Sequence, residues 1–213
     1  MNRFKYGRTY HLPFSKTVAD DDKMHPYLRH FNGGDLVVTV KMDGENSALY
    51  QDGFTHARSM DSVNHESRDW LKRFWSDRSY LLPAGWRIYG ENLYAKHSIE
   101  YNDLRSYFQV FAVYDDNNMR LDWDAMKSLC SQLDMDMVTV VLRTDSFNWL
   151  QEVETVFNQV VASGEEGIVL TMEKGYHFDD MSLNVAKAVR EGHVKTEDHW
   201  MHRAIVKNGL KND

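Results

Sequence analysis

The chain has 213 residues, enough for one or two domains with a sizeable core, and its 42% apolar and 27% charged residues exclude a disordered chain or a coiled coil. Its formal net charge is -7, from 25 basic and 32 acidic residues. The sequence has no run of about 18 apolar residues and no signal-peptide pattern, so we expect a cytoplasmic protein that does not enter a membrane. The single cysteine, Cys130, cannot form an internal disulfide and is predicted to pack on the apolar side of a helix.

Apolar, β-branched stretches bounded by turn residues predict strands along most of the chain. In chain order these predicted strands span 35–41, 47–50, 54–58, 86–94, 107–114, 138–142, 167–172 and 183–190. Between the second and third, Asp52 and Gly53 form a pair that is typical of a hairpin turn.

Three segments have apolar residues at spacings of three and four, which predicts helices over 62–75, 122–133 and 146–161. Ser62 and Ser146 are the expected N-caps, and Ser163 with Gly164 marks the expected end of the last helix. Because strands and helices do not alternate regularly, the sequence predicts an α+β fold of largely antiparallel sheets flanked by helices. We expect a single domain over 1–213, because no repeat or linker interrupts the chain.

Charge is distributed unevenly along the chain. The first sixteen residues hold four cations and no carboxylate, the stretch 187–211 is also basic, and the middle of the chain is acidic. If the two basic ends meet in the fold, an acidic protein still offers a local surface for a polyanion. The alternative interpretation is a pair of solvated termini.

Lys41 ends the first apolar strand and opens the string Lys-Met-Asp-Gly-Glu-Asn over 41–46. A lysine in this position is partly desolvated, which favours the neutral amine that a nucleophile requires. Taken alone, the pattern is equally typical of a solvated lysine before a common Asp-Gly turn.

Three further charged residues lie in or directly beside apolar strands. Glu91 follows Gly90 and Glu166 precedes Gly167, so each carboxylate lies beside a glycine at a strand edge, where it is suited to a hard cation such as Mg²⁺. Each could also be a solvated turn residue. Lys187 lies inside an apolar strand and needs an anionic partner or an open cleft, because an unpaired buried charge is costly.

The order of these motifs carries more information than any one of them. Lys-x-Asp-Gly, Arg58 after a short strand, Gly-Glu, Tyr114 followed by Asp, Glu-Gly and a strand lysine form a succession that resembles the covalent nucleotidyltransferases, and within them the ATP-dependent RNA ligases. The strings at 11–13, 89–99 and 186–194 support that branch, and the resemblance extends over about residues 6–203. It implies a standalone nucleotidyltransferase (ATP-grasp-like ligase) core, a monomer with no appended OB-fold or C-terminal domain.

The resemblance also implies a reaction and a set of site residues. Lys41 would attack the α-phosphate of ATP and carry AMP, which passes to an RNA 5′-phosphate before a 3′-hydroxyl expels it, a reaction used in RNA repair. Tyr114 is implied to stack on adenine, with Phe111 as a weaker candidate, and Glu91 and Glu166 to bind Mg²⁺ or Mn²⁺. The complete set implied to contact the nucleotide is Thr39, Val40, Asn46, Arg58, Glu91, Tyr114, Glu166 and Lys187.

Two positions depart from the family pattern. Related ligases often carry a glutamate for the adenine amino group where this chain has Thr39 and Val40, and the last motif has one lysine, with Arg190 as a candidate second cation. A DNA ligase or capping enzyme on the same core and a catalytically silent nucleic-acid-binding module remain as alternatives. A zinc site at histidines 193, 199 and 202 is less well supported, because the spacing does not match a known ligand pattern.

Overall fold

The computed structural model describes residues 2–16, 22–60, 65–192 and 204–211. These residues form two compact units. The first, here called the Glu91 unit, takes the described residues within Met1–Tyr6, Asp43–Met137 and Thr196–Asp213, and the second, the Lys41 unit, those within Gly7–Met42 and Val138–Lys195. Both units are assembled from separated stretches of chain, and the single-domain organisation expected from the sequence stays a prediction.

The described residues contain ten strands and four α-helices. The strands are β1 (Tyr10–His11), β2 (Leu36–Lys41), β3 (Glu45–Tyr50), β4 (Thr55–Ala57), β5 (Arg87–Asn92), β6 (Phe108–Tyr114), β7 (Asp136–Met137), β8 (Val140–Thr144), β9 (Gly167–Met172) and β10 (Val185–Val189). The helices are α1 (Asp69–Ser76), α2 (Trp123–Gln132), α3 (Trp149–Ala162) and α4 (Met181–Asn184). Four short 3₁₀ segments lie at Leu28–Phe31, Glu66–Arg68, Ser79–Leu81 and Phe178–Asp180.

The sheet of the Lys41 unit has the strand order β1-β10-β9-β2-β8, and all its pairings are antiparallel except β1 with β10. Side chains alternate across a strand, so Leu36, Val38 and Val40 share one face of β2, and Thr39 and Lys41 share the other. The first face is covered by α3 in an apolar core that contains Leu12, Phe31, Leu36, Val38, Trp149, Val153, Phe157, Val160, Ile168, Leu170, Ala186 and Ala188. Burying this core fixes the register that places Lys41 on the opposite face.

The sheet of the Glu91 unit has the order β4-β3-β5-β6-β7, antiparallel except for the last pair. In the turn between β3 and β4, Gly53 has a φ of +82° and donates its N–H to the Tyr50 carbonyl, as the predicted hairpin requires. The Trp75 indole of α1 donates to the same carbonyl at 2.8 Å. Cys130 of α2 is buried, and burial raises the pKa of its thiol to about 12, which confirms a packing role.

The α+β prediction is confirmed, and each of the eight predicted strands overlaps an observed one. Sequence reasoning missed the two-residue strands β1 and β7, and it extended the last strand backward over residues that belong to α4. The expected N-cap at Ser146 is wrong, because α3 begins after Asn148. The Ser146 hydroxyl instead accepts the Asn148 N–H at 3.1 Å, in a turn before the helix. The expected N-cap at Ser62 lies outside the described residues.

In the part of the chain that is described, no helix is both long enough and apolar enough to cross a bilayer.

Candidate active site

Lys41 is the last residue of β2, opposite Gly167 of β9. Its Nζ atom donates to Oε2 of Glu166 at 2.6 Å. The glutamate side chain is only 6% exposed, whereas the lysine side chain keeps 26%. The predicted nucleophile and one predicted metal carboxylate are therefore in direct contact, with the lysine open to solvent on one side.

The backbone around Glu166 explains why a glycine follows it. The Glu166 carbonyl accepts the Arg190 N–H at 2.9 Å, which ties the residue to the end of β10. A Cβ atom on Gly167 would lie 2.0 Å from the Ala188 carbonyl oxygen, so no other residue fits between these strands without moving backbone. The Glu-Gly pair thus lets β9 and β10 approach closely where the carboxylate meets Lys41.

Lys187 lies on the same face of this sheet as Lys41. Val169 pairs with Thr39 on one side and with Lys187 on the other, so these three residues form one row across β2, β9 and β10. Burial lowers the pKa of the Lys187 ammonium, and the Asp22 carboxylate opposes this effect. The Lys187 Nζ atom is 3.6 Å from Asp22 Oδ1, which supplies the anionic partner that the sequence demanded.

Two residues of this cluster, His11 and Asp22, were assigned no role from the sequence. His11 is completely buried in β1, in register with Lys187, and its Nε2 atom is 3.3 Å from Asp22 Oδ1. Its Nδ1 atom is 2.7 Å from the Ser15 hydroxyl, which also accepts the Val189 N–H. The signal was the string at 11–13 followed by acidic residues ending at Asp22, but spacing alone does not show that β1 joins β10.

Thr39 and Val40, which occupy the positions where related ligases often carry a glutamate, are both buried in β2. The Thr39 hydroxyl is 3.5 Å from the Val169 carbonyl, at the limit of a hydrogen bond. Thr39 shares the face of Lys41, whereas Val40 belongs to the face covered by α3.

In the Glu91 unit, two predicted nucleotide contacts lie on adjacent strands. Asn46 of β3 pairs with Glu91 of β5, and both are half-buried. Arg58 directly follows β4, whose last residue, Ala57, pairs with Ser47 of β3. Arg58 is exposed. The structure thus pairs an amide with a carboxylate, and it leaves the guanidinium at the end of the neighbouring strand.

The Lys-x-Asp-Gly turn packs closely on β5. Gly44 donates its N–H to Glu91 Oε1 at 3.2 Å. A Cβ atom on Gly44 would lie 2.6 Å from the Asn92 carbonyl oxygen and 2.9 Å from Leu93. The motif glycine is required by this contact with the strand that carries Glu91.

Arg68 is another residue to which the sequence assigned no role. It is almost completely buried and binds the Glu45 carboxylate with two nitrogens, Nε at 2.7 Å and a terminal nitrogen. Such a bidentate pair fixes the orientation of both side chains. Because Glu45 precedes Asn46, the pair anchors β3 at the end that carries the predicted nucleotide contacts.

Tyr114 occupies the opposite end of this sheet. It pairs with Arg87, four residues before Glu91 on β5, or about 13 Å along the strand. It is completely buried, and the Arg87 guanidinium lies 4.8 Å from its ring centre. Stacking of adenine on Tyr114 stays a prediction, and it requires this ring to become exposed. Phe111, the weaker candidate, is half-buried with its ring against Tyr6 at 5.1 Å.

The carboxylates of Glu166 and Glu91 are suited to a hard cation that is also bound by phosphate oxygens of the substrate. Among the described residues, no three His, Cys, Asp or Glu side chains cluster to form a metal site. Glu166 and Glu91 offer single carboxylates, which fits Mg²⁺ or Mn²⁺ completing its shell with phosphate oxygens and water. The histidines at 193, 199 and 202 lie outside the described residues.

Sequence comparison decides the family. A protein-family model described as RNA ligase matches residues 34–189, a span that contains Lys41 and all eight residues implied to contact the nucleotide. The chain belongs to the RNA ligase family. No curated protein matches the sequence of this family member.

Similarity to solved structures shows that this chain has the ligase nucleotidyltransferase fold. An archaeal ATP-dependent RNA ligase is similar with a TM-score of 0.56 and 17% identity, over 77% of this chain and 44% of that one. A Naegleria gruberi RNA ligase mutant with ATP and Mn gives a TM-score of 0.54 and 15% identity, over 90% and 61% of the two chains. A putative ATP-dependent DNA ligase from Aquifex aeolicus gives 0.57 and 16%, over 88% and 50%. This chain therefore spans about half the length of the structures it matches.

Proposed function

We propose that this chain is an ATP-dependent RNA ligase that joins an RNA 5′-phosphate to a 3′-hydroxyl through AMP bound covalently to Lys41. The observation that carries the proposal is the 2.6 Å contact between Lys41 Nζ and Glu166 Oε2 at the end of a buried strand, in a chain of the RNA ligase family. Repair of broken RNA is the role that fits such a reaction.

The proposed ligation reaction has three steps. The Lys41 nitrogen, having lost its proton, attacks the α-phosphorus of ATP, and pyrophosphate leaves as the phosphoramidate bond forms. The 5′-phosphate of RNA then attacks the same phosphorus and releases the lysine, which leaves AMP joined to the RNA end. A 3′-hydroxyl finally attacks the 5′-phosphate, a phosphodiester forms, and AMP departs.

The cluster in the Lys41 unit suits the first step. Contact with the Glu166 carboxylate stabilises the Lys41 ammonium before the reaction. Because Glu166 Oε2 already accepts a hydrogen bond from Nζ, it is positioned to take the proton from this nitrogen. Lys187, on the same sheet face, supplies a cation for the phosphate oxygens on which negative charge accumulates. Asp22 pairs with the Lys187 ammonium, and His11 contacts the same Asp22 oxygen.

For the Glu91 unit, we propose that Asn46, Glu91 and Arg58 contact the ribose and phosphates of the nucleotide. Arg58 is exposed just after β4, so its guanidinium can bind a phosphate through two nitrogens. Mg²⁺ or Mn²⁺ held by Glu166 or Glu91 would neutralise phosphate charge when bound.

Incubation with α-labelled ATP and Mg²⁺, followed by denaturing electrophoresis, tests the lysyl-AMP step. Wild-type protein should retain label, and Lys41→Arg should lose it, because a guanidinium cannot supply a neutral nitrogen nucleophile. Lys174→Ala is the matched control, because it removes an exposed lysine just after β9 and should label normally. Label that persists in Lys41→Arg would overturn the proposal.

The similarity to a putative DNA ligase supplies the second candidate function. The same preparation is therefore assayed on single-stranded RNA ends, nicked RNA duplex and nicked DNA duplex. Joining of RNA in preference to DNA supports the proposed substrate. Preferential sealing of nicked DNA would assign the chain to DNA ligation.

A further inference from the structure

The turn that follows Lys41 is anchored by hydrogen bonds within the Glu91 unit. Asp43 Oδ2 accepts three of them, from the Ser98 N–H at 2.8 Å, the Ser98 hydroxyl at 2.6 Å and the Ile99 N–H at 2.7 Å. The Asp43 N–H donates to the Tyr101 hydroxyl at 3.0 Å. The aspartate of the Lys-x-Asp-Gly motif is thus committed to the segment 98–101.

The same segment is bound on its other side by the chain end at 204–211. Tyr101 donates its N–H to Asn208 Oδ1 at 3.0 Å, and its carbonyl accepts the Gly209 N–H at 2.7 Å. The Leu104 N–H donates to the Gly209 carbonyl, and the Leu104 carbonyl accepts the Lys211 N–H at 2.7 Å. The chain end is therefore hydrogen-bonded to the backbone at several points along residues 94–104.

Asn208 is the centre of this contact. It is 2% exposed, and its Nδ2 atom donates to the Leu93 carbonyl at 2.8 Å. Its backbone N–H donates to the Tyr94 carbonyl, and its carbonyl accepts the Tyr107 hydroxyl at 3.0 Å. Each polar group of Asn208 thus has at least one partner, so removing its side chain would leave buried groups of the 93–101 loop unsatisfied.

We propose that Tyr101 and Asn208 are positioning residues for adenylation, through which the chain end at 204–211 fixes the turn that carries the nucleophile motif. The inference rests on the proposed function, because it assigns these residues to the Lys41 reaction. Tyr101 is the shared member, with its hydroxyl bound to Asp43 and its backbone bound to the chain end. A reacting group displaced by as little as about 1 Å can lose a hundredfold in rate, so order in this turn bears directly on the reaction.

Tyr101→Phe tests the link most narrowly, because it removes one oxygen and leaves the ring and the backbone bonds. Asn208→Ala removes the two side-chain bonds at the other end of the network. In single-turnover adenylation we expect each variant to react about tenfold more slowly at saturating ATP, with an apparent affinity for ATP within about threefold of wild type. Tenfold corresponds to about 1.4 kcal/mol in the barrier.

The double variant and a neighbouring control separate positioning from loss of fold. If both residues act through one network, the double variant should be little slower than either single variant, rather than a hundredfold slower than wild type. Val206→Ala, an exposed side chain in the same chain end, should adenylate at the wild-type rate. Wild-type rates in both single variants, or fully additive losses, would overturn the inference.

Hydrogen exchange provides a readout that does not depend on activity. Tyr101→Phe should speed exchange of the Asp43 amide, and Asn208→Ala should speed exchange of the Tyr101, Ser98 and Ile99 amides. If these changes occur but wild-type protein forms no AMP adduct, the proposed function fails while the structural link stands. If adenylation occurs and neither variant alters exchange at Asp43, the link itself is wrong.

Discussion

Lys41 illustrates how a strand position, rather than a residue type, creates a reactive group. The face of β2 opposite to α3 carries Thr39 and Lys41, Glu166 contacts the lysine ammonium, and Lys187 lies on the same sheet face two strands away. Two lysines and their carboxylate partners, Glu166 and Asp22, therefore share a partly buried surface, where charge interactions are stronger than in water. Such a cluster is suited to bind and stabilise a triphosphate.

The negative charge of Glu166 is expected to be needed for Lys41 adenylation. Glu166→Gln preserves the shape of the side chain and removes the negative charge, so we expect a folded protein in which Lys41 adenylation is slowed by about 10²–10³-fold, the range found when one preorganised electrostatic group is lost. Circular dichroism and single-turnover labelling measure the two properties on one sample. The control is Glu173→Gln, which changes a carboxylate that directly follows β9 and pairs with Arg143 of β8. Equal labelling in Glu166→Gln and the control would remove Glu166 from the mechanism.

His56 makes stability depend on pH. Burial lowers the pKa of its imidazole, with the Ala57 carbonyl opposing that effect. The folded state therefore favours the neutral ring, and the stability it provides is complete above the unfolded pKa of about 6.5 and lost as pH falls through the lower folded pKa. We expect the free energy of unfolding in urea to fall on the order of 1 kcal/mol between pH 7.5 and 5.5.

His56→Gln should flatten part of that decline, because glutamine does not titrate. His25, whose pKa burial also lowers, accounts for a further share and provides the parallel variant His25→Gln. Stability that stays constant over this range, or that rises on acidification, would contradict the assignment of both rings as buried and neutral.

At the scale of elements, close approach of β9 and β10 supports the Lys41 cluster. Gly167→Ala would force a methyl group to 2.0 Å from the Ala188 carbonyl, so the strands must separate where Glu166 and Lys187 are held. We expect a loss of roughly 1–3 kcal/mol in unfolding free energy, as for other overpacked sites, together with slower adenylation. Thermal unfolding compared with Val140→Ala, an exposed substitution on the edge strand β8, measures the effect. A melting temperature equal to that of the control would contradict it.

The elements also show what sequence reasoning reaches. Apolar, β-branched stretches bounded by turn residues predicted β2 and β9 closely because both strands are largely buried, and the order of motifs indicated Lys41, Glu166 and Lys187. Short elements such as β1 escaped, because two residues carry no periodicity. Ion pairs between distant segments, such as that of Arg68 with Glu45, escaped because spacing along a chain does not reveal which strands become neighbours.

Tyr114 shows a different limit. The sequence places an aromatic residue before an aspartate at the end of a strand, and the motif order assigns it to the nucleotide. The structure places its ring under Arg87 at the far end of β5 from Glu91. A motif specifies residue identity and order, whereas exposure is decided by packing of the whole sheet.

At the scale of the whole molecule, parts of the two basic stretches, residues 10–16 and 187–189, lie side by side in the Lys41 unit. β1 pairs with β10, and the Lys16 N–H donates to the Val189 carbonyl at 2.9 Å. Arg3, by contrast, is committed to Asp52 at 2.5 Å and to the rings of Tyr50 and Phe54. Lys16 is exposed and is thus a better candidate than Arg3 for contact with RNA phosphates.

Lys16→Glu should weaken RNA binding and end-joining and leave Lys41 adenylation within about twofold, because adenylation needs only ATP and metal. Each phosphate contact contributes about one unit to the slope of log affinity against log salt, so the slope should fall by about one. Lys174→Glu is the charge-matched control on another exposed site of the same unit. Equal losses of adenylation and joining in Lys16→Glu would argue against an RNA-binding surface here.

The most direct test of the account is the position of AMP on the protein after incubation with ATP and Mg²⁺. Wild-type protein is digested and the AMP-bearing peptide identified by mass spectrometry, with Lys41→Arg treated in parallel. We expect one AMP on the Lys41 side chain of wild-type protein, its release when pyrophosphate is added, and no adduct in the variant. An adduct on any other residue, or ATP-dependent RNA joining by Lys41→Arg, would contradict it.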